Sequence, residues 1–294
     1  RTVAVVVFRD EEGWRFGGGF LGSRAVIGDI DEAYLDRTDR DGTTVREALA
    51  SLGYTRPIRE AIPTSRPASY LEVHIEQGPV LDAADQPLGI VTGIVGIAEL
   101  RVEFTGREGH AGTTPMHLRS DAALCAADFQ VRAAALARGI DDAVVTCGSQ
   151  PQVEPGAANV IARCVGLALD CRAPDEQRLQ QLVDGIAQVA AEAAAENACH
   201  VACSETMRID PVVCHAMVKE ALASAAPAAP ELPSGAGHDA QILGGAGIPI
   251  GMLFVRSRNN GISHSPAEST DEEDIDAAVG ATTSALTRLA SEQG

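Results

Sequence analysis

Basic residues are scarce in this 294-residue chain: 23 Lys and Arg face 41 Asp and Glu, for a net charge of −18. Lys219 is the only lysine, so arginine carries nearly all the positive charge. So acidic a surface lacks the basic face that nucleic acid or an anionic membrane requires. No apolar run approaches the ~18 residues of a membrane span. The longest, Val3 to Phe8, suits a strand buried on both faces. No CxxC pair occurs among the seven cysteines (125, 147, 164, 171, 199, 203 and 214). That argues against structural disulfides and for a reducing cytoplasm. A zinc signature of the HExxH type, an internal repeat and a signal peptide are all missing. An initiating methionine is missing too: the chain opens inside the apparent strand TVAVVVF, as expected of a sequence truncated at its N-terminus.

The composition is otherwise that of an ordinary globular protein, with 45% hydrophobic and 22% charged residues. At ~100–200 residues per domain, the length predicts two domains. Helical patterns fall near 31–36 and 44–52, and strands at 71–76 (LEVHIE) and 88–95. From residue 97 the texture changes to strict alternation in IAELRVEFTG, the mark of a half-exposed antiparallel strand. A turn at 109–116, a helix at 120–138, strands at 143–147 and 163–171, a helix at 175–197 and a strand at 199–208 follow. That order is the split β-α-β-β-α-β, ferredoxin-like pattern. A helix at 212–225, a Pro/Ala linker at 226–233, an apolar strand at 248–255 and a helix at 271–290 complete the chain. The expected fold is α/β: a doubly wound, mostly parallel sheet domain at 1–96 and 210–294, carrying an inserted ferredoxin-like α+β domain at 97–209.

Chemistry-bearing residues gather at the ends of these elements. Glu11 and Glu12 follow the first apolar run, at the sheet edge where open α/β folds bind ligands. Adjacent carboxylates suit a site where one holds a cation and the other takes a proton; an acidic turn facing solvent is the alternative. In LEVHIEQG, alternation puts His74 and Glu72 on one face. Neutral imidazole is the commonest metal ligand, yet a strand histidine is often just hydrogen-bonded. His264 lies in a loop after an apolar strand, a frequent seat of function. His238 and Asp239 stand at an expected helix start, where free N–H groups could hold a carboxylate. His110, Asn159 and Arg172 lie in the inserted segment. Arg172 either captures a substrate carboxylate or pairs with Asp170 or Asp175.

Five strings, VVVFRDEEGWRFGGGFLGSRA, LEVHIEQGPVLD, GREGHAGTTPMHLRSDA, SGAGHDAQ and FVRSRNNGISHSPAE, occur in order along the chain. Together they resemble the allantoate amidohydrolase and N-carbamoyl-L-amino acid hydrolase family, within a superfamily of binuclear metal-dependent peptidases and amidases. The resemblance implies hydrolysis of a carbamoyl (ureido) C–N bond with two divalent ions (zinc, manganese, cobalt or nickel). It implies Glu11 as general base and Glu12, His74 and His264 as metal ligands. His110 would reach the partner subunit's active site and polarise the scissile carbonyl. Gln77, Asn159, Arg172 and the backbone at Gly235 would hold the substrate carboxylate. The inserted domain would be the dimerisation lid of a cytoplasmic homodimer. The family's further metal ligands, a His in an HxD element and a bridging Asp, lie in an N-terminal segment that this sequence does not contain. An aminoacylase or dipeptidase, or a non-catalytic dimeric binding homologue, are the alternatives.

Overall fold

The computed structural model describes residues 2–54, 67–148 and 151–291. They divide into two compact units, one of Arg1–Ile94 with Val212–Gly294 and the other of Val95–Pro211.

In the first unit, helices α1 (Leu21–Ile27), α2 (Glu32–Leu35) and α3 (Val45–Ser51) precede strand β1 (Tyr70–Ile75), helix α4 (Val80–Ala83) and strand β2 (Leu88–Ile94). A complete capping box, Thr44 with Glu47, starts α3. Strand β10 (Ile250–Val255) pairs parallel with β1 and antiparallel with β2. Beyond it, β2 takes β8 (Val212–Val213) antiparallel and β9 (Glu231–Ser234) parallel. The sheet is therefore mixed, which corrects the expectation of a mostly parallel one. Strands buried on both faces carry the same apolar signature in either direction, so side-chain pattern does not reveal polarity.

Every residue of β10 is buried. Its alternate side chains feed two cores. Ile250, Met252 and Phe254 join Ala240 and Leu243 of helix α8 (Asp239–Gly245). Leu253 and Val255 face helices α7 (Ala216–Ala225) and α10 (Glu272–Ser291) through Val218, Leu222, Ala281 and Ala285. The expected strand at Val3–Phe8 does not form: Val5 and Val7 are 90% and 87% exposed and pair with no described strand. An apolar run becomes a strand only where a neighbour supplies the ladder. Phe8 alone turns inward, its ring 6.1 Å from that of Tyr70.

In the second unit, β3 (Gly96–Thr105), helix α5 (Ala122–Arg138), β4 (Val144–Thr146), β5 (Gln152–Glu154), β6 (Cys164–Ala173), helix α6 (Glu176–Glu196) and β7 (His200–Ile209) follow in order. Four strands line up as β4-β6-β3-β7 with every pairing antiparallel, and β5 adds to β6. One face carries Leu100, Val102, Phe104, Leu167 and Leu169, packed against α5 and α6 through Phe129, Leu182 and Ile186. Aspartates cap both helices: Asp121 accepts from Ala123 N, and Asp175 from Arg178 N. No helix among the described residues is long and apolar enough to cross a membrane. All seven cysteines are free thiols.

Candidate active site

The DEEG turn is held by glycine. Gly13 has φ +64°, and a Cβ there would stand 2.3 Å from Gly19 N, so only glycine lets the two backbones approach. Phe20 N–H donates to the Glu11 carbonyl at 2.8 Å, which fixes the turn against the start of α1. The Glu11 carboxyl is half-buried and pushed up to about 8, first by burial and then by Glu12, Asp239 and Glu72. Those three carboxylates come from distant points of the chain, and the first unit's fold gathers them.

Glu72 projects from β1, and its carboxylate accepts from Ala240 N at 2.8 Å, in the first turn of α8. Burial raises Glu72 to about 7, although the Ala240 N–H opposes the shift. Asp239, the first residue of α8, is likewise raised by burial, while hydrogen bonds from Ser23 hold it down. Its Oδ1 atom is buried without a hydrogen-bond partner among the described residues. His238 is 1% exposed, with Nε2 2.8 Å from Ser234 Oγ and Nδ1 3.6 Å from Glu72 Oε1. Its ring meets that of His74 edge-on at 4.5 Å between centroids. The Nδ1 atom of His74 lies 2.8 Å from the Ile75 carbonyl oxygen.

On the exposed side, His264 Nε2 lies 3.4 Å from Glu12 Oε2. The His264 loop is tied down by Glu268, which accepts from His264 N and from Ser263 Oγ. Gln77, at φ +55°, donates from its backbone to Ser257 Oγ and from its side chain to Ser263 Oγ. Gly235 has open space where a side chain would be. The structure thus brings Glu12 to His264 and leaves His74 with His238. Carboxylate and imidazole are the right donors for zinc or manganese. Among the described residues, however, no three His, Cys, Asp or Glu side chains stand together as a group able to hold a metal ion. These residues alone do not make up a metal centre.

In the second unit, His110 Nδ1 accepts from Gly112 N at 3.0 Å and Thr113 N at 3.3 Å. A neutral ring that accepts at Nδ1 carries its proton on Nε2 and can donate from there. The Asn159 carbonyl accepts from Ala111 N at 3.0 Å, which sets Asn159 beside the His110 turn. The Arg172 guanidinium is engaged by Asp170 through two bonds of 2.8 Å, the pairing that the alternative reading anticipates. The sequence marks Glu72 only as sharing a strand face with His74, and His238 only as standing at a helix start. The structure sets His238 beside both His74 and Glu72, and Glu72 near Glu11.

The description of peptidase family M20/M25/M40 matches residues 1–288. The chain belongs to that family. It is 37% identical over 273 residues to an N-carbamoyl-L-amino-acid amidohydrolase of Paenarthrobacter aurescens, covering 90% of this chain and 66% of the relative. Another, from Geobacillus stearothermophilus, is 39% identical over 286 residues, covering 95% of this chain and 68% of the relative. A probable allantoate deiminase of Oryza sativa is 34% identical over 319 residues, covering 95% and 64%. The chain therefore spans about two thirds of the length of these family members. Its fold matches a hydantoinase/carbamoylase-family amidase from Burkholderia multivorans with a TM-score of 0.84 at 32% identity, covering 98% of this chain and 70% of that one.

Proposed function

We propose that the protein hydrolyses the carbamoyl (ureido) C–N bond of an N-carbamoyl-L-amino acid or of allantoate. For a carbamoyl amino acid, one water enters and the products are the amine, carbon dioxide and ammonia. The gathering of Glu11, Glu12, Glu72 and Asp239 in the first unit carries this reading, in a chain whose relatives are named for that chemistry. A ureido carbonyl is a poor electrophile, so it needs a strong nucleophile and polarisation. Glu11 takes a proton from the attacking water and returns it to the leaving nitrogen, a step worth ~10²–10⁴-fold. His110 donates from Nε2 to the developing oxyanion. Gln77, Asn159, Arg172 and the backbone at Gly235 hold the substrate carboxylate.

Dependence on divalent metal is typical of the family, and Glu12, His74 and His264 are the donors this chain would contribute. The ions would polarise the substrate and the water. The inserted unit would serve as the lid and the dimerisation surface of a homodimer. Seven free thiols fit a cytoplasmic setting.

The test is ammonia release from N-carbamoyl-L-amino acids and from allantoate, with zinc, manganese, cobalt or nickel supplied. Turnover that falls at least ~10²-fold in Glu11→Gln, with the fold intact, is the expected result. Cleavage of acyl amides without cleavage of carbamoyl groups would shift the assignment to an aminoacylase. Full activity in Glu11→Gln would remove Glu11 from the chemistry.

A further inference from the structure

The His110 turn is pinned on one flank by backbone. His110 forms an isolated bridge with Val160, and Ile161 N–H donates to the Gly109 carbonyl at 2.8 Å. Ala111 N–H donates to the Asn159 carbonyl at 3.0 Å. The other flank exposes the carbonyls of Ala111 and Thr114, and there one side chain takes both. Arg119 Nε donates to the Thr114 carbonyl at 3.0 Å, and its Nη2 donates to the Ala111 carbonyl. Arg119 itself leaves the same loop just before Ser120, which pairs with Arg107 to close the loop base.

We propose that Arg119 is the positioning residue for His110: its guanidinium fork fixes the 111–114 backbone so that the Gly112 and Thr113 N–H groups stay aimed at His110 Nδ1. The inference rests on the proposal that His110 polarises the scissile carbonyl. A planar fork with fixed donor spacing can span two carbonyls, whereas a lysine ammonium is a point charge on a flexible stem. With the fork in place, the neutral imidazole is locked as the Nε2–H tautomer and its ring direction is set. Without it, the two amides drift from Nδ1, the ring turns freely, and the oxyanion donor is no longer preorganised. A misplacement near 1 Å in such a group is enough to cost ~10²-fold in rate.

The experiment compares wild type, Arg119→Met, Arg119→Lys and His110→Gln in the full chain by nitrogen-15 NMR of the histidine rings and by amide exchange. In wild type, His110 should show an unprotonated Nδ1 and a protonated Nε2 with slowly exchanging Gly112 and Thr113 amides. In Arg119→Met those amides should exchange ~10-fold faster or more, and the ring signals should move toward tautomer averaging. Arg119→Lys should recover the signature only in part. Turnover assays should show kcat falling ~10–100-fold in Arg119→Met with KM within about two-fold. The double variant with His110→Gln should lose no more than His110→Gln alone. Unchanged ring and amide signals in Arg119→Met overturn the proposal whatever the reaction proves to be. If the signals change but His110→Gln turns over normally, the catalytic role of His110 fails, while the positioning of its ring by Arg119 stands.

Discussion

Gly261 lies against Gly78 so closely that a Cβ on Gly261 would stand 1.9 Å from the Gly78 carbonyl carbon. Gly261 also has φ +71°, where an L side chain is strained. The contact joins the HIEQGP turn to the SRNNG loop, which leads into His264. Gly261→Ala is expected to destabilise by ~1–3 kcal/mol or more and to loosen the Gln77–Ser263 hydrogen bond. Gly280 is the contrasting site: it is exposed in α10, and an added Cβ there meets nothing within 4 Å. Gly280→Ala is expected to stabilise by ~0.4–1 kcal/mol. Urea unfolding of both variants checks the opposite signs.

Arg256 and Asp274 form a bidentate pair at 2.8 and 3.0 Å, with side chains 8% and 5% exposed. The pair fastens the end of β10 to the first turn of α10. Asp274→Ala would leave Arg256 with the exposed Asp85, 2.6 Å from its Nη1, as a remaining partner. The loss should therefore be ~1–3 kcal/mol, short of that of a fully stranded charge. Replacing Arg46, which spans Glu32 and Asp36 on the surface, with alanine should leave stability nearly unchanged. Comparable losses in the two variants would contradict this ranking.

Glu11 and Glu72 are raised from 4.5 to about 8 and about 7, so the folded protein holds protons that the unfolded chain releases. Their contribution is fully present below about pH 4.5, where both states are protonated. It is lost as pH rises through the folded values near 7 and 8. In a chelator-containing buffer, the urea midpoint should therefore decline between pH 5 and 8.5 on account of these groups. Glu11→Gln and Glu72→Gln should each flatten that decline and raise the midpoint at the alkaline end. A pH profile identical to wild type would show that neither carboxyl keeps its proton.

Arg172 is already engaged by Asp170, so a substrate carboxylate must displace that partner to use the same fork. Asp170→Asn should lower KM for a carbamoyl amino acid several-fold. Arg172→Met should raise it ~10–100-fold, the worth of hydrogen bonds to a charged group. Steady-state kinetics on both variants decide the matter; an unchanged KM in each would leave Arg172 a structural ion pair.

Much of the architecture is legible in side-chain periodicity. The alternation of IAELRVEFTG becomes β3, and the apolar run IPIGMLFV becomes a strand whose faces feed two cores. Periodicity reports burial, not partners. Val3–Phe8 has a strand's composition yet pairs with no described strand, and β8 and β9 are too short to show any period inside segments that read as helix and linker. The site is legible to a similar depth. Glu11, Glu12 and His264 stand out because they follow apolar runs, and the structure sets Glu12 and His264 side by side. The edge-on meeting of His74 with His238 depends on how α8 lies along β1, a relation of two distant segments that neither carries alone.

The chain leaves the first unit after Ile94 and returns at Val212, and those two residues are cross-strand neighbours in β2 and β8. Partners in an antiparallel ladder sit only ~5 Å apart, a gap that a tight turn spans. The ends of the second unit are just as close, since a Cβ on Gly96 would stand 2.9 Å from Pro211 Cδ. The inserted segment thus begins and ends on adjacent stretches of backbone. A two-residue turn in its place would leave the outer sheet's pairing intact, and the same doorway could admit a different module without any outer strand having to move.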